Sequence, residues 1–290
     1  MRYGLNGWRD ADILTQVTQR MRYGLNGWRD GNILTQVAHR GWQMLRFGLP
    51  SSRYEGLDML AAAQIVGRPL IIITDTSQLV AYRSALVGLD VEFHNEPDGT
   101  IDRQFTPTEY AELVPAFVRM AHDVGAFPWI GAVGNTAAPS QAWLRSMLAA
   151  LPTGLPEFGI TFHWYSHGRD RQSPHPGFQT RAEETAGILS IIGDRRWAIS
   201  EFGFHTAKQR VRAWLPWWFP GNTYRWTDGE VARMVREEFA YWERHDAEFA
   251  ILYQIADGPH DTKEERFGIL RCDPDGALGE FKPVADAPMR

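Results

Sequence analysis

The chain has 290 residues, 44% hydrophobic and 22% charged, proportions that suit one large globular domain with a substantial core. A net charge of −5, with no basic block, argues against a nucleic-acid partner or an anionic membrane surface, and no apolar run approaches the roughly 20 residues that span a bilayer. Cys272 is the single cysteine, which excludes an internal disulfide and any Cys-x-x-Cys metal or redox site. The first residues are not a charged-then-apolar leader, so the expectation is a cytoplasmic chain, or a secreted one if an export signal has been removed.

In chain order, the first feature is a tandem duplication. Met1–Asp10 and Met21–Asp30 are both MRYGLNGWRD, and the ten residues after each differ only where Ala11, Asp12, Thr18 and Gln19 become Gly31, Asn32, Ala38 and His39. The period ends after two copies, so no solenoid is implied. Each copy reads as a strand and a short helix, but a closed barrel has one slot for a first strand. Tyr23–Asn26 is the expected occupant, because it leads through a helix near 32–40 directly into the next strand. Residues 1–20 are then expected outside the barrel, and residues 21–290 form the catalytic domain.

From residue 42 the pattern is strand, helix, strand, helix. Strands are predicted at 43–47, 69–74, 91–94, 129–133, 159–164, 197–200 and 249–253. The run Pro69–Thr74 is continuously apolar, as in a parallel strand covered on both faces. Helices are predicted near 56–66, 78–87, 141–151 and 182–192. Two more open on capping boxes, Thr106-Pro107-Thr108-Glu109 and Thr227-Asp228-Gly229-Glu230. Tyr110, Leu113, Val114, Phe117 and Val118 give the first of these an apolar stripe, with Pro115 inside it as an expected kink or late start. Eight strands alternating with helices make a single-domain α/β fold, a (β/α)8 TIM barrel. A doubly wound sheet is the rival, but no GxGxxG or GxxxxGK[ST] follows any strand. The stretch 266–290 is expected to return along the barrel wall.

In such a barrel the chemistry belongs at the C-terminal strand ends. Those ends carry Asn26, Arg46, Asp75, His94, Asn95, Glu96, Asn135, His163, Tyr165, Glu201, Tyr253, Gln254 and Asp257, whereas the strand bodies are apolar. A convergent polar ring of this kind calls for partners or a substrate. Glu96 and Glu201 stand out, each closing an apolar run just before Pro97 or Gly203 stops the strand. Two carboxyl groups facing one gap suit retaining hydrolysis of a glycosidic bond: one protonates the leaving oxygen and the other attacks the anomeric carbon.

The segments His94-Asn95-Glu96-Pro97, Glu201-Phe202-Gly203 and His163-x-Tyr165, with Arg46 after the second strand, resemble glycoside hydrolase clan A, and most nearly its family 5 of cellulases and mannanases. The resemblance spans residues 21–285 in architecture and these short motifs in sequence. It implies Glu96 as acid/base, Glu201 as nucleophile, and no cofactor or metal. It also implies that Arg46 and Tyr165 keep Glu201 ionised and that Asn95 binds the sugar 2-hydroxyl. His94 and His163 would position carboxylates or substrate. At the end of strand eight, where the family usually has a tryptophan floor for the sugar, this chain offers Tyr253. Twelve tryptophans point the same way, since a flat indole stacks on sugar rings. Trp217 and Trp218, in a Trp- and Pro-rich stretch after strand seven, are candidates for such stacking.

The expectation is therefore a retaining β-glycosidase whose partner is a carbohydrate substrate, with the oligomeric state open. Two alternatives remain. One is a divalent-metal sugar isomerase using Asp75, Glu96, His163, Glu201, His205 and Asp257 as ligands. The other is a carbohydrate-binding barrel without catalysis.

Overall fold

The computed structural model describes residues 2–6, 31–50, 52–99, 105–165, 180–207, 209–210, 223–224, 226–257, 267–272 and 278–289. Eight parallel strands close into a barrel: β1 (Arg2–Asn6), β2 (Met44–Gly48), β3 (Leu70–Ile73), β4 (Asp90–Phe93), β5 (Phe127–Val133), β6 (Gly159–Tyr165), β7 (Trp197–Gly203) and β8 (Phe249–Tyr253). Each pairs with its sequence neighbours, and β1 closes the ring against β8. Around them run α1 (Gly31–His39), α2 (Arg53–Ala63), α3 (Thr76–Ala81), α4 (Arg83–Leu86), α5 (Pro107–Asp123), α6 (Ala138–Ala150), α7 (Arg181–Ile192) and α8 (Asp228–Glu243). The expected (β/α)8 architecture is the one found.

The first strand is a correction. The slot between β2 and β8 holds Arg2–Asn6, in register with Met44–Arg46 on one side and Phe249–Tyr253 on the other. The first copy of the duplication fills the slot assigned to the second, whose Tyr23–Asn26 lies outside the described residues. Identical decapeptides offer identical side chains to the same neighbours, so no local property of the strand could choose between them. Arg22–Asn26 would join α1 across residues 27–30, a βα connection within the usual range of about 2–6 residues. A chain beginning at Met21 is accordingly expected to fold to the same barrel, with Tm within about 3 °C of the full chain. Calorimetry of the two forms checks this, and a truncated chain that fails to fold would contradict it.

Alternation along the strands separates two cores. Met44, Leu70, Trp129, Ala198, Phe249 and Ile251 point inward and plug the lower barrel, with the Trp129 and Phe249 rings edge to face at 4.9 Å. Trp129 also donates through Nε1 to Asp90 (3.0 Å), which takes a second bond from Arg68 (2.9 Å). The residues between them in sequence, such as Leu45, Ile71, Ile130 and Leu252, face the helices in the larger outer core. The next inward layer above the plug is charged, and it forms the site described below.

Helices of a βα unit begin at the end of the barrel where strands finish, so their N-caps also fix the loops carrying the site. Both expected capping boxes form, at Thr106/Glu109 and Thr227/Glu230, and two more occur at Asp75/Gln78 and Thr180/Glu183. The donors gathered around each acid, Ser77 at Asp75 and the Thr180 and Thr227 caps at Glu183 and Glu230, hold these carboxyls below the ordinary range. Their contribution is complete above the ordinary carboxyl range and is lost as pH falls through the depressed value.

Two helices depart from expectation. The helix predicted at 78–87 breaks into α3 and α4 at Tyr82, which is buried and donates to the Ser52 carbonyl at 3.3 Å. α5 runs through Pro115 as one helix, and Leu113 of its predicted stripe is exposed. The C-terminal stretch does pack back on the wall: Pro283–Met289 forms a 3-10 helix against α8, and Trp42 Nε1 donates to the Ala285 carbonyl at 2.8 Å. Lys282, beside it, is buried against Asp257 at 2.7 Å. Burial pulls its ammonium below the ordinary lysine range against the opposing pull of Asp257.

Candidate active site

The chain leaves β4 through two residues with left-handed backbone, His94 (φ 58°) and Glu96 (φ 44°). Such conformations are uncommon outside glycine and persist only where surroundings impose them. Here the Glu96 amide donates to the Ala132 carbonyl (3.1 Å) and its carbonyl accepts from Gly99 (2.8 Å). Asp98 ties the same turn to the neighbouring unit, accepting from Gly134 N (2.8 Å) and Ser140 Oγ (2.5 Å). Gly134 lies close against this side chain: a Cβ there would sit 3.2 Å from the Glu96 carboxyl carbon, which would have to shift by a few tenths of an ångström.

A bulge aims the second glutamate. Ile199 pairs with Phe162 and Glu201 with His163, so Ser200 is an extra residue in β7. Ala198 faces the inner plug and Ile199 the outer core. Strict alternation from there would turn Glu201 outward and Phe202 inward. The inserted residue reverses this, sending Phe202 to the helices, where its ring meets Phe239 at 5.1 Å, and Glu201 into the barrel. β5 has a matching irregularity at Ala132 (φ 39°), between the pairs Gly131–Thr161 and Val133–Phe162. Bulges that re-aim side chains beside active sites are a recurrent device.

The result is a compact charged cluster. Arg46, Glu92, His163 and Glu201 are each 0% exposed, and Glu96 is 5%. Arg46 donates to Glu201 Oε2 (2.9 Å), to Asn95 Oδ1 (2.7 Å) and, through Nε, to Glu92 Oε2 (2.6 Å). Tyr165 donates its hydroxyl to Glu201 Oε1. Nδ1 of His163 shares a hydrogen bond with Glu96 Oε1 at 2.9 Å, while its Nε2 lies 4.0 Å from Glu201 Oε2. One carboxylate oxygen from each of Glu96 and Glu201 and one His163 nitrogen all lie within 4.8 Å of one another. The Asn95 amide nitrogen is buried with no partner among the described residues, a donor left over once Arg46 has fixed the oxygen.

Six of the expected residues, Arg46, Asn95, Glu96, His163, Tyr165 and Glu201, thus come together. His94 does not join them. Its ring packs with Phe93 (4.4 Å), Phe105 (4.8 Å) and Tyr110 (6.1 Å), so its surroundings are aromatic. Tyr253 is buried, with its ring 5.4 Å from Phe267, which also meets Tyr165 (5.7 Å) and His205 (5.2 Å). Trp217 and Trp218 lie outside the described residues.

Phe267, Asp98 and Glu92 were not among the residues singled out from sequence. Nothing local marks the first two. Glu92 did carry a signal: a carboxylate between Val91 and Phe93 in a strand covered on both faces is a buried charge that must have a partner.

Of the alternative metal ligands, Asp75 serves as the N-cap of α3 and Asp257 binds Lys282. Of the other four, Glu96, His163 and Glu201 could hold an ion by distance, while the His205 ring lies against Phe267 at 5.2 Å and is not in that group. The Arg46 guanidinium already occupies Glu201 Oε2, however, and a divalent cation there would face that positive charge.

No protein family and no curated protein matches the chain at the level of sequence. Solved structures do. A GH128 (subgroup II) endo-β-1,3-glucanase from Sorangium cellulosum superposes with a TM-score of 0.60 at 14% identity, covering 99% of this chain and 97% of its own. The corresponding enzyme from Pseudomonas viridiflava gives 0.60 at 15% identity, over 99% and 96%. A glycoside hydrolase family 17 β-1,3-glucanosyltransferase from Rhizomucor miehei gives 0.60 at 11% identity, over 98% of each chain. These are described as GH128 and family 17, not the family 5 that the short motifs resemble. At these identities the similarity establishes the fold: the chain is a TIM barrel of the form shared by these glycoside hydrolases.

Proposed function

We propose that the protein is a retaining β-glycosidase acting on β-linked glucans, with Glu201 as nucleophile and Glu96 as acid/base. The observation that supports it most directly is the separation of under 4.8 Å between oxygens of the two carboxyl groups. Retaining enzymes hold their carboxyl pair about 5–5.5 Å apart, whereas inverting enzymes leave about 6.5–9.5 Å for a water.

In the first step Glu201 attacks the anomeric carbon while Glu96 gives its proton to the departing oxygen. In the second, Glu96 takes a proton from water, which displaces Glu201 from the sugar. Arg46 and the Tyr165 hydroxyl orient the Glu201 carboxylate and offset its charge. The charge count of the cluster favours the proton on Glu96. Arg46 brings one positive charge against Glu92 and Glu201, so a further buried anion would be uncompensated. The Asn95 amide nitrogen, buried without a partner among the described residues, would meet a sugar hydroxyl.

The superposed structures are described as β-1,3-glucanases and a β-1,3-glucanosyltransferase, so the substrate class proposed is β-1,3-glucan. Incubation with laminari-oligosaccharides, cello-oligosaccharides and manno-oligosaccharides, followed by chromatography of products, tests this. Cleavage of the β-1,3 series is the expected result. Turnover confined to another series would change the substrate class, and inertness toward all β-glycosides would overturn the function.

A further inference from the structure

We infer that Glu92, one layer below the two reacting carboxyl groups, is a positioning residue for this chemistry, acting through Arg46 rather than on the sugar. The inference rests on the proposed glycosidase reading and deepens it. Glu92 is fully buried in mid-strand, and its Oε2 takes both Nε of Arg46 (2.6 Å) and Nη2 (2.5 Å). That grip occupies the inner edge of the guanidinium and leaves Nη1 to donate to Glu201 Oε2 and the second hydrogen of Nη2 to donate to Asn95 Oδ1. A guanidinium is a rigid planar fork, so fixing one edge fixes the direction of the rest. Without Glu92, Arg46 would be anchored only by the two groups it is meant to orient.

Structural need alone does not account for the residue. A buried ion pair rarely stabilises more than apolar side chains of the same volume, and the plug directly beneath is apolar. Glu92 also leaves its Oε1 buried without a partner among the described residues, a cost that packing gives no reason to retain. What the carboxylate supplies is charge. Arg46 from β2 binds it directly and the Tyr110 phenol from α5 feels its charge, while Glu201 from β7, His163 and Tyr165 from β6 and Glu96 beyond β4 belong to the same cluster through Arg46 and Glu201. Burial raises the Tyr110 phenol far above its ordinary range, and the Glu92 charge raises it further. Among these Arg46 is the one permanent cation, and Glu92 takes up part of it. Arg46 then holds Glu201 in place without cancelling its charge outright, and the surplus negative charge favours the protonated form of Glu96.

The test is the pH dependence of kcat/KM for wild type, Glu92→Gln, Glu92→Asp and the pair Arg46→Met and Arg46→Met/Glu92→Met. Glu92→Gln is expected to lose at least about tenfold in kcat with KM changed less than about threefold, and its alkaline limb should move down by about one pH unit, the scale of one charge removed from a buried site. Glu92→Asp keeps the charge, so its alkaline limb should stay in place and part of kcat should return. In the Arg46→Met background, Glu92→Met should cost no further activity. This last comparison does not depend on Glu92→Gln folding, because neither of its variants carries that substitution. An unmoved limb in folded Glu92→Gln, or a further tenfold loss in the double variant, would overturn the inference. Turnover by the wild type accompanied by either result removes only this role for Glu92, whereas an inactive wild type removes the glycosidase reading with it.

Discussion

Glu201→Ala is expected to lower kcat on aryl β-glycosides by at least about 10⁴-fold while leaving the fold intact. On the proposed reading this carboxylate attacks carbon, and Arg46 and Tyr165, which both bind its oxygens, are not nucleophiles there. Truncation to alanine removes the attacking oxygens and opens a cavity on the face of the sugar away from the leaving group. Azide can enter that cavity and displace an activated aryl group directly. One displacement in place of two inverts the centre, so the rescued product should be the α-glycosyl azide. Rate and product are both read by NMR with a dinitrophenyl glycoside. Wild-type activity in Glu201→Ala or Glu201→Gln would remove the nucleophile assignment, and a β-azide would place the nucleophile elsewhere.

The second large effect is at Glu96, and its signature is dependence on the leaving group. An acid matters most when the departing oxygen is basic, so Glu96→Ala should cost about 10²–10⁴-fold with natural oligosaccharides. A dinitrophenyl group leaves without protonation, so formation of the glycosyl-enzyme should survive in the variant. Its hydrolysis should not, because no base remains to take the proton from water. The intermediate then accumulates, KM falls together with kcat, and azide should yield the β-glycosyl azide through two displacements. The opposite azide stereochemistry in the two variants separates the roles without reference to rate. Equal losses across all leaving groups would deny Glu96 the role of acid. His163, which shares its hydrogen bond at 2.9 Å, would then be the next residue to test.

Much of this was legible in the sequence for physical reasons that can be named. Apolar runs of strand length followed by capped amphipathic helices specify βα units, and Thr106/Glu109 and Thr227/Glu230 close as the spacing required. The barrel in turn places strand-end residues around one opening, which brought Arg46, Glu96, His163, Tyr165 and Glu201 together. What could not be read was set by backbone irregularity or by distant partners. The inserted Ser200 decides which way Glu201 faces, yet the predicted strand stopped at Ser200 and a perfect alternation from Ala198 would have pointed the glutamate outward. The left-handed backbone at His94, whose ring lies among Phe93, Phe105 and Tyr110, has no counterpart in the apolar run before it. The choice between two identical N-terminal strands had no local basis at all, and the structure seats Arg2–Asn6.

The narrow gap between two carboxyl groups, within 4.8 Å, supports the proposed mechanism, and product stereochemistry tests it most directly. Proton NMR during the first minutes of β-glycoside cleavage should show the β-anomer appearing first, with the α-anomer growing only by mutarotation. Initial release of the α-anomer would mean a single displacement by water and would contradict attack by Glu201.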